Sequence, residues 1–414
     1  MTANDGASRS LGRRRVLQLG GAAFVSTGVA GRAAANEPDG CPLVDDTLVV
    51  AEYNIELLTT EKVHEAGNEQ LEAAAEVVQR NPEPDVLAVL ELDNNFQSGE
   101  RTRRHNGEVF LRNYLNVPQA PELEGVGFEY FYAPESNTGV PSGIDAFKDG
   151  HELEQGTDFE ASDPYGEDSW GYGEYPGQYA MGIFSKYPID VENIRTMRRL
   201  LWQDVPEHRI PTREVVENEV DEDEEPLGWL TDAEMRRFRV SSKTHADVPI
   251  HVGDETVHAV ITHPTPPVFD GPENFNGRRN HGENKLLGDY VAGAEYVYDD
   301  DGREGGLDDD EKFVVIGDLN TEEGDEQTFD VLGEHVFPHV NTEEMPTSEG
   351  GEAAGNPLWT AEWESQADYV LPSNHFTVVD SAVFWPDPDD EPELNELAHT
   401  ASDHFMLWSE LDLA

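Results

Sequence analysis

Five short polar clusters have the side chains to carry out chemistry together, and each one follows or adjoins a run of strand-forming residues. They supply carboxylates, amides and imidazoles at these positions: Asn54, Glu91, His263, Asp318 with Asn320, and Asp403 with His404. Carboxylate and amide oxygens suit a hard cation such as Mg²⁺, and Glu91 is the candidate direct ligand. The two histidines could protonate a leaving oxygen and take a proton from water. Phosphoester cleavage needs these functions together with charge neutralisation.

Taken singly, each cluster also has an ordinary structural explanation. Residues 317–320 could form a turn, because Gly, Asp and Asn are turn residues. Glu91 could cap a helix, His263 could be a lone loop histidine before a proline, and residues 402–404 could form a capping turn. The shared position beside strand ends favours one site, because a rigid sheet presents such side chains to a cleft.

The elements that must position these residues alternate along the chain. Apolar and β-rich runs predict strands at these residues: 47–54, 85–90, 180–184, 257–262, 312–316, 368–371 and 405–411. Composition and spacing predict helices over residues 66–80 and 282–297. Strands outnumber helices, so we predict an α/β (α+β) protein with two packed sheets and helices outside them. Residues 36–414 would form one domain.

A long segment, residues 133–178, is rich in Gly, Pro, Tyr and acidic residues and is predicted to be a functional or disordered loop. Five aromatic residues in or next to this segment could stack nucleic-acid bases or pack on one another; they are Tyr165, Trp170, Tyr172, Tyr175 and Tyr179. The basic group of Arg278, Arg279 and His281 could bind a substrate phosphate or pair with surface acids.

The charge of the chain is strongly acidic, with 86 Asp and Glu against 27 Lys and Arg and a net charge of −59. The acids are spread along the chain, which is not typical of an acidic tail. Binding of cationic partners remains an alternative. Adaptation to molar salt fits better, because salt shortens the Debye length to ~3 Å and screens self-repulsion. The charge therefore does not exclude a polyanionic substrate.

The first 35 residues predict an export signal. Three consecutive arginines at 13–15 precede an apolar stretch and three alanines at 33–35, which is typical of a twin-arginine signal, with an ordinary secretory signal as the alternative. Cys41 is the one cysteine, so no intramolecular disulfide is expected. No other apolar run approaches the ~20 residues of a membrane span. We expect an extracellular or cell-surface monomer.

The same segments resemble the endonuclease/exonuclease/phosphatase superfamily, the deoxyribonuclease-I-like metal phosphoesterases. The resemblance runs in the family's order through these motifs: AEYNIELL, PDVLAVLELDNN, GIFSKYPI, AVITHP, VVIGDLNTEEGDE, ADYVLPS and ASDHFMLW. It implies a four-layer α/β sandwich with the site at the mouth between two sheets. Leu90 stands where many members have Gln before the metal-binding Glu, which is more similar to exported bacterial nucleases of the superfamily.

The resemblance also implies a role for each residue. Glu91 would bind the metal, supported by Asn54 and Asp403. His263 would contact the scissile phosphate, and Asp318 and Asn320 would orient the nucleophile and the phosphate. His404, paired with Asp403, would polarise or deprotonate the attacking water, and Asp368 would support a neighbouring histidine.

These features together predict a divalent-metal-dependent hydrolase of phosphodiester bonds, with Mg²⁺ as the cofactor and Mn²⁺ or Ca²⁺ as alternatives. An extracellular nuclease is the first expectation. A phosphatase or a phospholipase-type esterase is the alternative, and a non-catalytic acidic cation-binding protein is a third. The few basic residues count modestly against binding of long duplex DNA.

Overall fold

The structure, a computed structural model, describes residues 47–148, 150, 163–221, 223–224, 226–321 and 329–413. The expected export signal, Cys41 and the expected domain start at residue 36 lie outside the described residues, as do residue 149 and residues 151–162 of the long loop.

Eleven strands are found in the described part of the chain. They are β1 (Thr47–Leu58), β2 (Val86–Leu92), β3 (Tyr130–Tyr132), β4 (Met181–Ser185), β5 (Arg195–Thr196), β6 (His245–Val252), β7 (Glu255–Thr262), β8 (Lys312–Asp318), β9 (Asp368–Pro372), β10 (Thr377–Val383) and β11 (Leu407–Asp412). They form a six-stranded sheet in the order β10-β11-β1-β2-β4-β3 and a five-stranded sheet in the order β5-β6-β7-β8-β9. Both sheets are mixed, because β1–β2 and β7–β8 pair in parallel and the other pairs are antiparallel.

The helices lie between these strands in the sequence. They are α1 (Thr60–His64), α2 (Glu69–Arg80), α3 (Asn106–Phe110), α4 (Asp163–Glu167), α5 (Arg213–Glu219), α6 (Asp232–Met235), α7 (Phe275–Val291), α8 (Phe329–Val331), α9 (Glu349–Ala354) and α10 (Pro392–Ala401). Shorter π and 3₁₀ turns cover Leu111–Leu115, Trp202–Asp204, Leu332–Val336 and Phe337–His339.

The apolar core has three parts, which correspond to the spaces between four layers. One part lies between the two sheets and includes Val50, Leu90 and Ile316. A second joins the six-stranded sheet to α2 and α10, and a third joins the five-stranded sheet to α7. Alternation along each strand sends neighbouring side chains to opposite faces, so β1 directs Val50 between the sheets and Ala51 towards the helices. The expected four-layer α/β sandwich is confirmed.

Most predicted elements occur, but their bounds differ for identifiable reasons. Helix α7 begins at Phe275, earlier than predicted. Its first turns are polar, so they showed no apolar helical pattern in the sequence. It ends at Val291, since Gly293 adopts a left-handed conformation with φ of +76°. Strand β6, strand β10 and helix α10 were not predicted from the sequence. In the portion of the chain described, the helices are all too short or too polar to cross a membrane.

Candidate active site

The candidate residues converge at one edge of the two sheets. Strand β1 carries Asn54, β2 carries Glu91, β8 ends at Asp318 and β9 begins at Asp368. Loops after β7 and before β11 supply the two histidines. They line one cavity of about 780 Å³, whose lining includes these candidates: Glu91, His263, Asp318, Asn320, Asp403 and His404. Asn54 and Asp368 lie behind these lining residues. Asn54 hydrogen-bonds to Asp318, and Asp368 hydrogen-bonds to His404.

Glu91 reaches this cavity because the backbone of β2 departs from regular strand geometry. Leu90 packs between the sheets and Leu92 packs against the helices, so simple alternation would not direct residue 91 to the site. Glu91 has φ of +59°, a conformation that is uncommon for a residue with a side chain. The backbone N–H of Leu57, also at positive φ, donates to Glu91 Oε2 at 3.0 Å. Such local strain concentrates at functional sites.

Asn54 lies at the centre of the cluster. Its Nδ2 donates to Asp318 Oδ2 at 3.1 Å and lies 3.2 Å from His404 Nε2. Asn54 Oδ1 is buried and has no hydrogen-bond partner among the described residues. Two residues earlier, Glu52 is also buried without a hydrogen-bond partner in the described structure. Burial and then the charges of Asp368 and Asp318 hold the pKa of Glu52 well above its ordinary value.

Asp368 and His404 form a short, buried polar contact in the site. His404 Nδ1 lies 2.8 Å and 3.0 Å from the two Asp368 carboxylate oxygens, and the Thr360 hydroxyl donates to Asp368 Oδ2 at 2.7 Å. Burial opposes the charged imidazolium, but the carboxylates of Asp368, Asp318 and Asp403 outweigh burial and raise the pKa of His404 to about 10.

Asp318 is coupled to the same network. Its Oδ2 lies 3.9 Å from His404 Nε2 and 3.4 Å from His263 Nε2. Burial, followed by the charge of Asp368, raises the pKa of Asp318 from its ordinary value. The distance of 3.9 Å is longer than a hydrogen bond, so Asp318 and His404 interact through their charges and through Asn54 Nδ2, which contacts both side chains.

His263 has the opposite electrostatic character. Burial lowers its pKa well below the ordinary value, and the positive charges of Lys243 and His404 lower it further. Neutral His263 can donate one N–H hydrogen bond and accept another. Its Nδ1 is buried and unpartnered among the residues that the structure describes.

Lys243 is a site residue that no sequence motif indicated. It is 7% exposed, lines the cavity and donates from Nζ to the carbonyl oxygen of Pro264 at 3.1 Å. Asn320 Nδ2 donates to the same carbonyl at 3.2 Å, and the backbone N–H of Asn320 donates to Asp318 Oδ1 at 2.8 Å. A signal existed, since this lysine is one of only six in a chain of 414 residues.

Helix α7 holds the loops that carry these residues. Asn280 Nδ2 donates to the carbonyl oxygens of Thr265, Leu319 and Asn320 at 2.9–3.0 Å. The Glu283 carboxylate accepts hydrogen bonds at 2.6 Å from the backbone N–H groups of Ser242 and Thr265. The loops bearing Lys243, His263 and Asn320 are thereby fixed to one helix. No local pattern in the sequence predicts these contacts.

The donors of the site fit a hard divalent cation. Glu91 presents a carboxylate to the cavity, Asp403 presents another, and Asn54 Oδ1 is an unpaired amide oxygen. Oxygen donors of this kind are those that Mg²⁺ prefers.

Asp318, Asp368 and His404 form a second group that could hold a metal, with ligand atoms within 4.8 Å of one another. However, His404 Nδ1 and the Thr360 hydroxyl already occupy the Asp368 carboxylate. With the Asp368 carboxylate already engaged by these two groups, the arrangement favours a proton network over a ligand set.

The arginines that the sequence offered for substrate binding have other partners. Arg278 forms an ion pair with Glu219 at 2.5 Å, which is the salt-bridge alternative considered above. Arg279 touches the cavity, but its guanidinium donates to the backbone carbonyls of Val240, Arg239 and Trp170. Neither guanidinium is directed to the carboxylate and histidine cluster by these bonds.

The five aromatic residues that could have stacked bases lie in three different surroundings. Tyr165 and Trp170 are buried, and Arg239 lies over the Trp170 ring at 4.4 Å. Tyr175 donates to Asp93 at 2.7 Å. Tyr172 and Tyr179 line the cavity, so only part of the expected stacking surface faces the site.

Several solved structures are similar to this chain. A beta toxin variant from Staphylococcus aureus with bound magnesium ions is 13% identical, with a TM-score of 0.43, and covers 88% of this chain and 99% of its own. Sphingomyelinase C from Streptomyces griseocarneus is 14% identical, with a TM-score of 0.42 and coverage of 88% and 99%. The human Nocturnin catalytic domain is 12% identical, with a TM-score of 0.43 and coverage of 88% and 94%. No curated protein matches the sequence.

The family comparison is more decisive. The sequence model of the Endonuclease/Exonuclease/phosphatase family matches residues 52–404, which begins at Glu52 on β1 and ends at His404 in the site. The match includes the five-stranded sheet, all of the six-stranded sheet except β11 and the start of β1, and the residues that converge between the sheets. The chain belongs to the endonuclease/exonuclease/phosphatase family.

Proposed function

We propose that the protein is a divalent-metal-dependent phosphoesterase that hydrolyses phosphodiester bonds by attack of an activated water. The observation that carries this proposal is the buried chain Asp368–His404–Asp318, which opens into the same cavity as the Glu91 carboxylate. A proton acceptor, an anionic metal ligand and hydrogen-bond donors for phosphate then surround one space.

Asp368 acts on His404 by holding its Nδ1 and fixing the orientation of the ring. The His404–Asp318 pair receives the proton of the attacking water. Burial and the negative charge of Asp368 raise the pKa of Asp318, which brings this carboxylate closer to the pH range where it works as a base. The water oxygen adds to phosphorus while the bond to the leaving oxygen breaks.

The phosphate is bound from the other side of the cavity. Neutral His263 and the Asn320 amide are hydrogen-bond donors to its non-bridging oxygens. Lys243 supplies positive charge, and it does so from a poorly hydrated position where a charge acts more strongly than in water. Burial lowers the pKa of Lys243, and the carboxylates of Glu283, Asp318 and Glu91 partly offset this shift because they favour the charged ammonium.

Glu91, Asn54 and Asp403 would hold the metal ion. When bound, the ion would neutralise negative charge that develops on the phosphoryl oxygens and the leaving group. We propose Mg²⁺ as the resident ion, with Mn²⁺ and Ca²⁺ as alternatives of the same oxygen preference.

The wider setting is also a proposal. The arginine-rich start of the sequence supports export, and the spread acidic charge supports work in concentrated salt. We propose that the protein works outside the cell as a monomer. An extracellular nuclease was the first expectation from the sequence. A smaller phosphoester is a second candidate, because the only Lys and Arg side chains in the described cavity lining are Lys243 and Arg279.

Hydrolysis of bis-p-nitrophenyl phosphate in molar KCl with Mg²⁺ tests the proposal. We expect turnover by the wild type, loss of turnover with a chelator, and recovery when Mg²⁺ or Mn²⁺ is restored. His404→Ala should lower kcat by about 10²- to 10⁴-fold, the usual contribution of a proton-transfer group. The proposal fails if the wild type turns over no diester, monoester or DNA with either metal.

A further inference from the structure

We propose that the substrate of this site is a small amphiphilic phosphoester, with one phosphate at Lys243 and His263 and an apolar alcohol group against the cavity mouth. This inference rests on the proposed function and names its substrate class. It differs from the nuclease expectation because it assigns binding to one charge and an apolar surface.

The first observation is where the exposed apolar side chains lie. Seven large apolar residues are exposed in the described chain: Val117, Tyr172, Leu227, Val268, Phe269, Trp363 and Val379. Four of them, Tyr172, Val268, Phe269 and Trp363, line the active-site cavity. We call these four residues, with Pro266 and Pro267, the apolar rim. A concentration of exposed apolar side chains around one opening marks a binding surface.

The second observation is that the structure holds the most exposed rim residue in place. Phe269 is 88% exposed and has φ of +56°, an unfavourable conformation for a bulky side chain. Asn276 Nδ2 donates to the carbonyl oxygens of Val268 and Phe269 at 2.9 and 3.3 Å, and the backbone N–H of Gly277 donates to Asp270 at 3.0 Å. The first turn of α7 thus fixes a loop that displays a phenyl ring to solvent.

The third observation is that the apolar lining continues inward. Phe147, Phe238 and Phe275 also line the cavity, on the side where α7 begins. The volume of about 780 Å³ exceeds what a phosphate group alone would fill. A chain or ring attached to the phosphate can therefore be buried, away from water, between the apolar rim and these phenyl groups.

The fourth observation is the small number of cations. Arg279 is bound to three backbone carbonyls, which leaves Lys243 as the lining Lys or Arg available to phosphate in the part of the chain described. A polynucleotide carries a phosphate on every nucleotide and is normally bound by several Lys and Arg contacts. One cation beside an apolar surface instead fits a substrate with one phosphate and an apolar group.

Alkyl p-nitrophenyl phosphates with methyl, butyl and octyl groups test this inference, each used below its micelle concentration in molar KCl with Mg²⁺. Water adds to phosphorus, the bond to p-nitrophenol breaks, and the alkyl phosphate and p-nitrophenolate are released. Each methylene that is fully buried improves binding by about fourfold. The rim covers only one side of a chain, so we expect kcat/KM to rise about 10-fold from methyl to octyl.

The variant Phe269→Ser should lower the octyl-to-methyl ratio of kcat/KM by about threefold, the loss of part of that burial. Val379→Ser is the matched control, because Val379 is 55% exposed on β10 and is not part of the cavity lining. It should leave the ratio and the activity unchanged. Both positions are exposed, so neither variant should disturb folding.

Equal kcat/KM for the three esters would overturn the inference while the proposed function stands. So would single-stranded DNA cleaved with higher kcat/KM than the octyl ester and with no effect of Phe269→Ser. Absence of turnover for all diesters and DNA would instead remove the proposed function, and this inference with it.

Discussion

Replacing Asp368 by Asn removes one negative charge from the site and keeps the shape of the side chain. In the wild type, the Asp368 carboxylate lies 2.8 Å from His404 Nδ1 and accepts from the Thr360 hydroxyl. Asparagine can keep one of these contacts as a neutral acceptor. The perturbation therefore changes the charge of the partner of His404 and little else in the packing.

The size of the effect follows from this one contact. A buried hydrogen bond to a charged group contributes about 1.5–3 kcal/mol, and one pKa unit corresponds to about 1.4 kcal/mol. Asp368 favours the protonated His404, so its loss should lower the pKa of the His404–Asp318 pair by about 1–2 units. Because the pair must be deprotonated to act as a base, the acidic limb of kcat/KM against pH should move to lower pH. We expect the maximal kcat to fall about 10²- to 10³-fold, since a neutral asparagine no longer stabilises the imidazolium that forms when His404 takes a proton.

The assay is bis-p-nitrophenyl phosphate hydrolysis between about pH 5 and pH 10, in molar KCl with Mg²⁺. Asp247→Asn is the matched control. Asp247 is equally buried and accepts from His258 Nδ1 at 2.8 Å, on strand β6 and outside the cavity lining. The control should lose thermal stability and keep the kcat and pH profile of the wild type when corrected for folded protein. A kcat for Asp368→Asn within about threefold of the wild type, with an unmoved acidic limb, would refute the reasoning.

Three further predictions concern the metal, the substrate and the salt. Glu91→Gln keeps an acceptor for the Leu57 N–H but loses the charge, so the apparent affinity for Mg²⁺ should fall about 100-fold or more in activity titrations, and an unchanged titration would exclude Glu91 as a ligand. Arg278→Ala should change kcat/KM by less than about twofold, since its guanidinium pairs with Glu219, and a 10-fold rise in KM would restore it as a phosphate contact. Raising KCl from about 0.2 M to about 3 M should increase Tm in thermal melts, because screening weakens the self-repulsion of a chain with a net charge of −59, and a Tm that falls would contradict halophilic adaptation.

The sequence predicted the two-sheet sandwich because its strands carry strong apolar signals. Residues 85–90 and 312–316 are nearly continuous apolar runs, and both are buried strands in the structure. Strand β6 gave no such signal, since HADVPIHV contains a proline, two histidines and an aspartate within eight residues. Proline is tolerated there because the neighbouring β5 has only two residues, which leaves most of that side of β6 unpaired by β5.

The convergence of the candidate residues was predictable from the sequence, and their detailed geometry was less so. The polar residues at strand ends could be recognised in the sequence, and the structure brings them to one cavity. The left-handed backbone that directs Glu91 there could not be read from a local pattern, because tertiary contacts impose it. Lys243, Asn280 and Glu283 belong to no local motif, and their contacts join segments distant in the sequence. Arg278 and Arg279 are adjacent basic residues that the sequence suggested as phosphate ligands. In the structure their guanidinium groups bind Glu219 and backbone carbonyls instead.

A crystal structure with Mn²⁺ and inorganic phosphate, using anomalous diffraction to locate the metal, tests the central claim most directly. We expect an anomalous peak at about 2.1 Å from a Glu91 carboxylate oxygen, next to Asn54 and Asp403, with phosphate against Lys243, His263 and Asn320. Metal found only among the surface acids, or held by Asp318, Asp368 and His404 with none at Glu91, would contradict the account.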